Sequence, residues 1–396
     1  MSSKEPFLPA NIYHAEPPIR AITAPPKYLQ GQGVMDRCGP IAQMHGCQKV
    51  GLLASARGLG SQGVEITASL EACSVEVVSS EFQGECSEAE IGARVLDLAQ
   101  AEIDCLIAVG GGKCVDAGKC IAARLDVPLI VVPTLASNDA PCSAVSVLYT
   151  PEGVVCGAEF FPMNPLAVIV DTAVIVRAPE RYLVAGMGDA LATWYEARVC
   201  RANPAARSVL GARPTLAAST YGKLCADTIF AQGTAAARAV REGVVNEALE
   251  DVVEANTLHS GIGFESGGLA GAHGYAQGYT VLPEVEHAHL HGEMVGMGIL
   301  AQLMLEDDLG EAKKVAQFFV SIGLPVELRQ MGLSADQDDA IDAIVAGALE
   351  FAPINNLPFA VNKENVKAAL LAADKVGIET TSEFGEEAYL RCMSNA

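Results

Sequence analysis

One stretch, residues 103–149, constrains what this chain of 396 residues can fold into more than any other. In it a short apolar run is followed by three glycines and a lysine, and then by a helix-like segment. The glycines and the lysine are Gly110, Gly111, Gly112 and Lys113. A strand, a tight turn and a helix in this order predict a phosphate site, because glycines let backbone N–H groups close on an anion. The helix dipole and Lys113 are expected to add positive charge there.

A second strand leads into the same kind of chemistry. Residues 128–133 are apolar throughout, which indicates a buried parallel strand, and a polar loop follows at 134–141. Thr134, Ser137 and Asp139 leave this strand at its carboxyl end. Open α/β sheets bind their ligands at that end, so two consecutive strands point to one binding site.

The three glycines also allow other interpretations. A triple glycine alone is weak evidence, since it also serves to pack a helix closely on a strand. The nucleotide-binding Walker motif is absent, because Cys114 follows Lys113 where that motif requires a serine or threonine. The spaced glycines of the dinucleotide fingerprint are absent too. The polar loop after the second strand is what favours a functional site.

The composition excludes several classes of protein. The net charge of −22 argues against nucleic-acid binding, since no basic stripe could neutralise phosphates. No apolar run is long enough to span a membrane, and the first residues lack a secretory signal, so we expect the cytoplasm. The twelve cysteines form no C-x-x-C pair and are expected to be reduced. Cys114 and Cys142 flank the expected cofactor site, which predicts sensitivity to thiol reagents.

The pattern of apolar runs predicts two domains after an N-terminal arm at 1–19. Strand-like runs such as 49–54 and 75–78 alternate with helix-length segments such as 87–100, which predicts a Rossmann-like α/β domain with a parallel sheet at 20–178. Residues 179–396 are expected to form an all-α domain. Its alanine- and leucine-rich runs of helical length lie at 182–202, 209–232, 244–260 and 291–305.

A metal site in the second domain is a hypothesis from histidine placement. The sequence Gly-Met-Gly-Asp at 186–189 is consistent with the start of a helix, where Asp189 would be the cap. Spacing alone favours this interpretation. However, five of the seven histidines lie between His259 and His291. Several histidines converging with a carboxylate are a metal candidate. Residue chemistry alone cannot choose among His273, His287, His289 and His291.

Four motifs carry a resemblance to a known family: GGGK with Asp116, PTLASNDAPCSAVSVLYTPEG, GMGDALATWYEA and GFESGGLAGAHGYAQG. From about residue 20 to 384 the chain resembles the glycerol dehydrogenase branch of the iron-containing alcohol dehydrogenase superfamily. The resemblance implies a dehydroquinate synthase-like fold and a homo-oligomer. The activity it implies is that of a polyol dehydrogenase, which oxidises glycerol with NAD to dihydroxyacetone and NADH by metal-assisted hydride transfer.

The resemblance also assigns residues. It implies that Asp189, His273 and His291 hold the metal. The iron-binding branch has a further histidine one helical turn after the aspartate, and Thr193 replaces it here, which favours zinc. Asp139 is equally consistent with a turn cap and with a substrate contact, and the resemblance favours the contact. The implied cofactor-binding residues are Gly110, Gly111, Gly112, Lys113, Asp116, Thr134, Ser137, Ser143, Val145, Tyr149 and Ser55.

One departure from the family keeps the cofactor open. Ser55 stands where NAD-dependent members carry an acidic residue for the adenosine ribose, and Arg57 follows. NADP is therefore not excluded, and an NADP-preferring dehydrogenase or reductase of another vicinal diol or hydroxyketone is one alternative. A dehydroquinate synthase-type lyase is a second, which the glutamates around the histidine motifs disfavour. A nucleotide-binding protein without catalysis is a third.

Overall fold

The computed structural model describes residues 7–394 and divides them into two compact units. Unit 1 comprises the described residues up to Ile12, then Thr23–Ala136 and Ala140–Arg177. Unit 2 comprises Tyr13–Ile22, Ser137–Asp139 and the described residues from Ala178 onward. The first six residues of the predicted arm at 1–19 and the last two of the chain lie outside the described residues.

The elements of residues 7–394 are numbered in chain order. The strands are β1 (Arg20–Ala21), β2 (Tyr28–Gly31), β3 (Lys49–Ala54), β4 (Glu76–Glu81), β5 (Cys105–Gly110), β6 (Leu129–Pro133), β7 (Val145–Tyr149), β8 (Val155–Phe160), β9 (Ala167–Asp171) and β10 (Arg213–Pro214). The helices of unit 1 are α1 (Ala10–Tyr13), which ends in unit 2, α2 (Cys38–Met44), α3 (Ala56–Leu59), α4 (Gln62–Ala72), α5 (Glu88–Gln100), α6 (Gly112–Leu125) and α7 (Thr172–Ile175).

Unit 2 contains the remaining helices. They are α8 (Glu180–Ala202), α9 (Leu216–Glu242), α10 (Glu247–Glu254), α11 (Ser260–Gly267), α12 (Gly271–Thr280), α13 (Pro283–Ala288), α14 (His291–Leu305), α15 (Leu309–Ile322), α16 (Asp338–Glu350), α17 (Lys363–Phe384) and α18 (Glu387–Ser394). A π-helical turn, Ala255–His259, joins α10 to α11. Short 3-10 turns lie at Val34–Arg37, Ala140–Cys142, Leu328–Met331 and Ala352–Asn356.

The sheet of unit 1 has six parallel strands in the order β2-β9-β6-β5-β3-β4. The central strands β5, β6 and β9 are apolar and buried almost throughout, as expected of parallel strands covered on both faces. Strands β3, β5 and β6 are neighbours and run in the same direction, so their carboxyl ends lie at one edge of the sheet. The predicted parallel α/β fold is confirmed.

Helix α6 packs closely on this sheet because of one glycine. A Cβ at Gly118 would lie 2.5 Å from the Cβ of Ala108 on β5, so only glycine permits the contact. The helix begins at the carboxyl end of β5, as predicted. The antiparallel hairpin of β7 and β8 was not predicted from the sequence.

Unit 2 is helical apart from one short ladder, in which Arg20 and Ala21 of β1 pair in parallel with Arg213 and Pro214 of β10. Its core is built around α8 and α14, whose residues are buried over most of their length. The predicted helical second region is thus present. Within the described chain, every helix is either too short or too polar to cross a lipid bilayer.

Candidate metal and cofactor sites

Asp189 lies in the interior of α8 and is fully buried. Helix α8 begins at Glu180, well before Asp189, so the interpretation of this aspartate as a helix cap is wrong. The two glycines before it suggested a helix start, but they continue the helix. A carboxylate buried inside a helix needs a partner of positive charge, because the interior of a protein solvates it poorly.

Two glycines bring α8 and α14 into backbone contact beside Asp189. A Cβ on Gly292 would lie 1.8 Å from the carbonyl oxygen of Ala185, and a Cβ on Gly188 would lie 2.4 Å from that of Gly292. Neither position has room for a side chain. Because both residues lack a side chain, the first turn of α14, which begins at His291, can approach Asp189.

The three residues that the resemblance assigned to the metal do converge. Oδ1 of Asp189 lies 3.6 Å from Nε2 of His273 and 3.4 Å from Nε2 of His291. One ligand atom from each residue can be chosen so that all lie within 4.8 Å of one another. With bonds of about 2.0–2.2 Å, tetrahedral ligand atoms are roughly 3.3–3.5 Å apart, so the spacing fits a divalent metal.

The environment of Asp189 also fits a cation. Its Oδ1 is buried and has no hydrogen-bond partner among the described residues. Burial opposes ionisation of Asp189, but the imidazoles of His291 and His273 outweigh it and hold the pKa of the carboxyl below its usual value. An ionised carboxylate whose buried oxygen faces two imidazoles without a hydrogen bond is suited to bind a metal ion.

Glu196 is a residue of the candidate site that the sequence did not point to. It lies on α8 and is fully buried. Its Oε2 lies 2.6 Å from Nδ1 of His273, and its Oε1 accepts hydrogen bonds from the backbone N–H groups of Ala270 (2.8 Å) and His273 (2.9 Å). A carboxylate behind a histidine fixes the ring and its tautomer for metal binding. The signal was available, since Glu196 is two helical turns after Asp189 and so on the same face.

The first turn of α14 is held by a second carboxylate. Glu293 accepts the backbone N–H of Leu290 at 2.9 Å and pairs with the guanidinium of Arg181 through both its oxygens, at 2.6 and 2.7 Å. Bidentate pairs of this kind fix geometry as well as charge. They anchor the turn that carries His291. Of the two histidines not assigned to the metal, His287 is exposed and His289 is buried beside Glu293.

Asp139 lies next to the metal candidate. Its backbone N–H donates to Oδ2 of Asp189 at 3.2 Å, so Asp189 offers one oxygen to the protein and the other to the histidines. Oδ2 of Asp139 accepts a hydrogen bond from Oγ of Ser260 at 2.7 Å. Ser137 and Asp139 both belong to unit 2, whereas Thr134 belongs to unit 1.

The predicted phosphate site is at the carboxyl end of β5. Gly110 ends this strand and Gly111 precedes α6, so the first turn of α6 has no capping side chain and its N–H groups suit an anion. A Cβ on Gly110 would lie 2.7 Å from the Cβ of Cys114. Thr134, which follows β6, donates its N–H to the carbonyl of Gly110 at 3.0 Å, which places the two predicted strand ends together.

The sequence predicts an additional positive charge from Lys113, but this lysine forms an ion pair. Its Nζ lies 2.7 Å from Oε1 of Glu85 and 4.7 Å from the centre of the Tyr149 ring. This ion pair offsets much of the positive charge that Lys113 was expected to offer to a phosphate. Tyr149 is therefore placed beside the glycine turn by a cation–π contact.

Asp116, Ser143 and Val145 are tied together by a buried lysine. Nζ of Lys119, which has three hydrogens to donate, is within hydrogen-bond distance of Oδ1 of Asp116 (3.1 Å), Oγ of Ser143 (3.2 Å) and the carbonyls of Ala140 (2.7 Å) and Val145 (2.6 Å). The second oxygen of Asp116 accepts the N–H of Val147 at 3.1 Å. In this structure these groups hold the loop after β6 and the strand β7 against α6.

Ser55 follows β3 directly and is exposed at the same sheet edge as Gly110 and Thr134. Its Oγ accepts the N–H of Gly58 at 3.2 Å and so caps the short helix α3. Cys114 and Cys142, in contrast, are buried. Burial raises the pKa of the Cys114 thiol to about 12, which argues against the expected sensitivity to thiol reagents at this residue.

Comparisons with known proteins identify the family of this chain. A profile of iron-containing alcohol dehydrogenases matches residues 25–172. The glycerol dehydrogenase of Citrobacter freundii is 42% identical over 361 residues, which cover 91% of this chain and 98% of the relative. The glycolaldehyde reductase of Halobacterium salinarum is 36% identical over 357 residues, covering 89% and 97%. The crystal structure of glycerol dehydrogenase from Schizosaccharomyces pombe is similar with a TM-score of 0.87 at 35% identity, covering 92% and 93%. The chain is therefore an alcohol dehydrogenase and belongs to the iron-containing alcohol dehydrogenase family.

Proposed function

We propose that this enzyme is a zinc-dependent polyol dehydrogenase that oxidises glycerol, or a similar vicinal diol, at a secondary hydroxyl with NAD. The observation that carries the proposal is the convergence of Asp189, His273 and His291 with Asp139 alongside. The similarity to a glycerol dehydrogenase over nearly the whole of both chains supports the substrate class.

Each group of the site has a role in this proposal. Asp189, His273 and His291 hold the metal, and Glu196 keeps the His273 ring in position. Asp139 accepts a hydrogen bond from the second hydroxyl of the diol, since an ionised carboxylate acts only as an acceptor. When bound, zinc would lower the pKa of a substrate hydroxyl and a nicotinamide would accept the hydride.

Zinc rather than iron is favoured by the ligand set. Two imidazoles and one carboxylate with an open position are typical of catalytic zinc. Thr193, one turn after Asp189, directs its hydroxyl to Ser260 at 2.8 Å. A fourth protein ligand from this position is therefore not part of the proposal.

The cofactor is proposed to bind unit 1 with its pyrophosphate on the first turn of α6. The N–H groups there can bind an anion even though the chain carries a net charge of −22. Salt screens the repulsion from distant surface charges, whereas hydrogen bonds act at short range. Gly110, Gly111, Gly112 and Thr134 supply the close backbone approach. Lys119 holds Asp116, Ser143 and Val145 in place, and Tyr149 with Lys113 flanks the turn.

A second candidate is an NADP-preferring dehydrogenase or reductase of another vicinal diol or hydroxyketone. The observation that favours it is Ser55, since an exposed hydroxyl rather than a carboxylate ends β3 and Arg57 follows in α3. A missing carboxylate removes repulsion toward a 2′-phosphate, and an arginine can pair with one. A homo-oligomeric assembly and a cytoplasmic location stay predictions.

The test is a steady-state assay of the zinc-loaded protein with glycerol and 1,2-propanediol, run with NAD and with NADP and repeated after chelation. We expect chelator-sensitive reduction of NAD by both diols. Faster reduction of NADP would favour the second candidate. Absence of reduction with either diol, despite bound zinc, would contradict both.

A further inference from the structure

We propose that the hydroxyls of Thr193 and Ser260 orient the carboxylate of Asp139, and that this hydrogen-bonded chain sets the preference of the enzyme for a diol over a simple alcohol. The inference rests on the proposed function, in which Asp139 accepts the second hydroxyl of the substrate. Thr193 and Ser260 are positioning residues, because they act only through Asp139.

The direction of the chain follows from the chemistry of its members. Oγ of Ser260 lies 2.7 Å from Oδ2 of Asp139 and 2.8 Å from Oγ1 of Thr193. An ionised carboxylate can only accept, so the single hydroxyl hydrogen of Ser260 goes to Asp139. Thr193 must then donate its own hydrogen to Ser260. Hydrogen bonds therefore run in one direction, from Thr193 through Ser260 to Asp139.

Burial makes these hydrogen bonds matter. Thr193 and Ser260 are fully buried, and Asp139 is nearly so. Water cannot replace a missing donor there at no cost, and a hydrogen bond to a charged group is stronger than one between neutral groups. The orientation of the Asp139 carboxylate thus depends on both hydroxyls.

Two features of the backbone around Ser260 position its hydroxyl next to Thr193. The π-helical turn Ala255–His259 ends directly before Ser260, and such turns redirect the residues that follow them. Gly263, in the next turn of α11, has no room for a side chain, because a Cβ there would lie 2.2 Å from Cγ2 of Thr193. The close approach of α11 to α8 is what brings the two hydroxyls together.

Thr193 occupies the position on α8 where a further metal ligand would be expected in the iron-binding branch. It lies one helical turn after Asp189, on the same face, where the iron-binding branch has its additional histidine. Here the side chain at this position contacts Ser260 instead of contributing an imidazole. The same position therefore serves the substrate-binding carboxylate rather than the metal.

The expected consequence is a selective loss. A site that hydrogen-bonds a substrate hydroxyl discriminates strongly against an analogue that lacks it, because its own polar groups are left unpaired. A secondary alcohol such as 2-propanol has no second hydroxyl for Asp139. Weakening the orientation of Asp139 should therefore lower activity with 1,2-propanediol and leave activity with 2-propanol nearly unchanged.

The test compares Thr193→Val, which keeps the shape and removes the hydroxyl, with Thr193→Ser, which keeps the hydroxyl. Thr380→Val is a matched control, because Thr380 is also buried and its hydroxyl donates to the carbonyl of Val376 one turn earlier in α17. For each protein, kcat/KM with 1,2-propanediol and with 2-propanol is measured alongside zinc content. The increase in unfolding midpoint caused by 1,2-propanediol gives a measurement that does not depend on turnover.

We expect Thr193→Val to lower kcat/KM for the diol about tenfold, the effect of one buried donor. The midpoint increase caused by the diol should shrink, and zinc content should not change. Thr193→Ser and Thr380→Val should resemble the parent. An unchanged diol preference, an equal loss with both alcohols, or a loss of zinc in Thr193→Val would overturn the inference. A zinc-loaded parent that neither turns over nor binds the diol would instead contradict the proposed function on which it rests.

Discussion

Nδ1 of His273 lies 2.6 Å from Oε2 of Glu196, a carboxylate that is fully buried on α8. Because an ionised carboxylate cannot donate, Nδ1 carries the hydrogen, and the lone pair is on Nε2 once the ring has lost its second proton, as metal binding requires. Nε2 is the atom that faces Asp189, at 3.6 Å from its Oδ1. Glu196 thus selects the tautomer of His273 that can bind a metal.

Replacing Glu196 should therefore weaken the metal site without removing a ligand. In Glu196→Gln the amide can present a hydrogen to Nδ1 and favour the wrong tautomer, so we expect zinc affinity to fall at least about tenfold. Competition with a chromogenic chelator measures this. Glu379→Gln, an exposed change on α17, is the control. Equal zinc affinity in the two variants would contradict the role of Glu196.

The contact between α8 and α14 gives a prediction about stability. In Gly292→Ala the new Cβ would lie 1.8 Å from the Ala185 carbonyl, so the helices must separate, and overpacking of this kind costs about 1–3 kcal/mol. Zinc affinity should fall as well, because His291 moves away from Asp189. In the control Gly310→Ala, the nearest atom is 3.8 Å away, at Oδ1 of Asp308. Urea unfolding that fails to separate the two variants would refute this account of the contact.

Ser55 gives a prediction about the cofactor. In Ser55→Asp a carboxylate would end β3, where it can accept the ribose hydroxyl of NAD and repel the 2′-phosphate of NADP. Aspartate also caps helices well, so α3 should be retained. We expect the ratio of kcat/KM for NAD over NADP to rise about tenfold or more, an effect of the size of one hydrogen bond to a charged group. Ser61→Asp, exposed before α4, should leave the ratio unchanged.

Thiol reactivity should follow burial rather than closeness to the cofactor turn. Cys156 on β8 is exposed, whereas Cys114 is buried with its pKa raised to about 12, so its thiolate is scarce at neutral pH. Brief treatment with iodoacetamide should label Cys156 and leave Cys114 unmodified until the protein unfolds. Mass spectrometry of the digested protein identifies the labelled residue. Labelling of Cys114 in the folded protein would contradict this.

Several elements were predictable because local signals agree with the fold. The strand at 49–54 and the helix at 291–305 have the predicted bounds, since apolar runs, glycines and polar loops mark their ends clearly. The glycine turn and the polar loop after β6 came together as expected, because neighbouring parallel strands end at one edge. Local pattern was sufficient for these features.

Other features depend on tertiary contacts that no local pattern reveals. Gly186 and Gly188 suggested a helix start, but Gly188 serves the contact with Gly292 inside α8. The predicted helix at 244–260 contains a π-helical turn that no proline marks. Lys113 pairs with Glu85, which is distant in sequence, so its charge could not be judged from the motif alone. Glu196 had the right helical spacing, but glutamates at such positions are usually solvated.

The measurement that tests the central claim most directly is a zinc titration of the chelated enzyme with 1,2-propanediol and NAD. Asp189→Asn is compared with Asp374→Asn, a buried aspartate of α17 that accepts the N–H of Leu328. We expect zinc to restore NAD reduction in the parent and in Asp374→Asn, while Asp189→Asn folds but neither retains zinc nor reduces NAD. Near-normal turnover of Asp189→Asn, or full turnover of the parent without metal, would contradict the metal site described here.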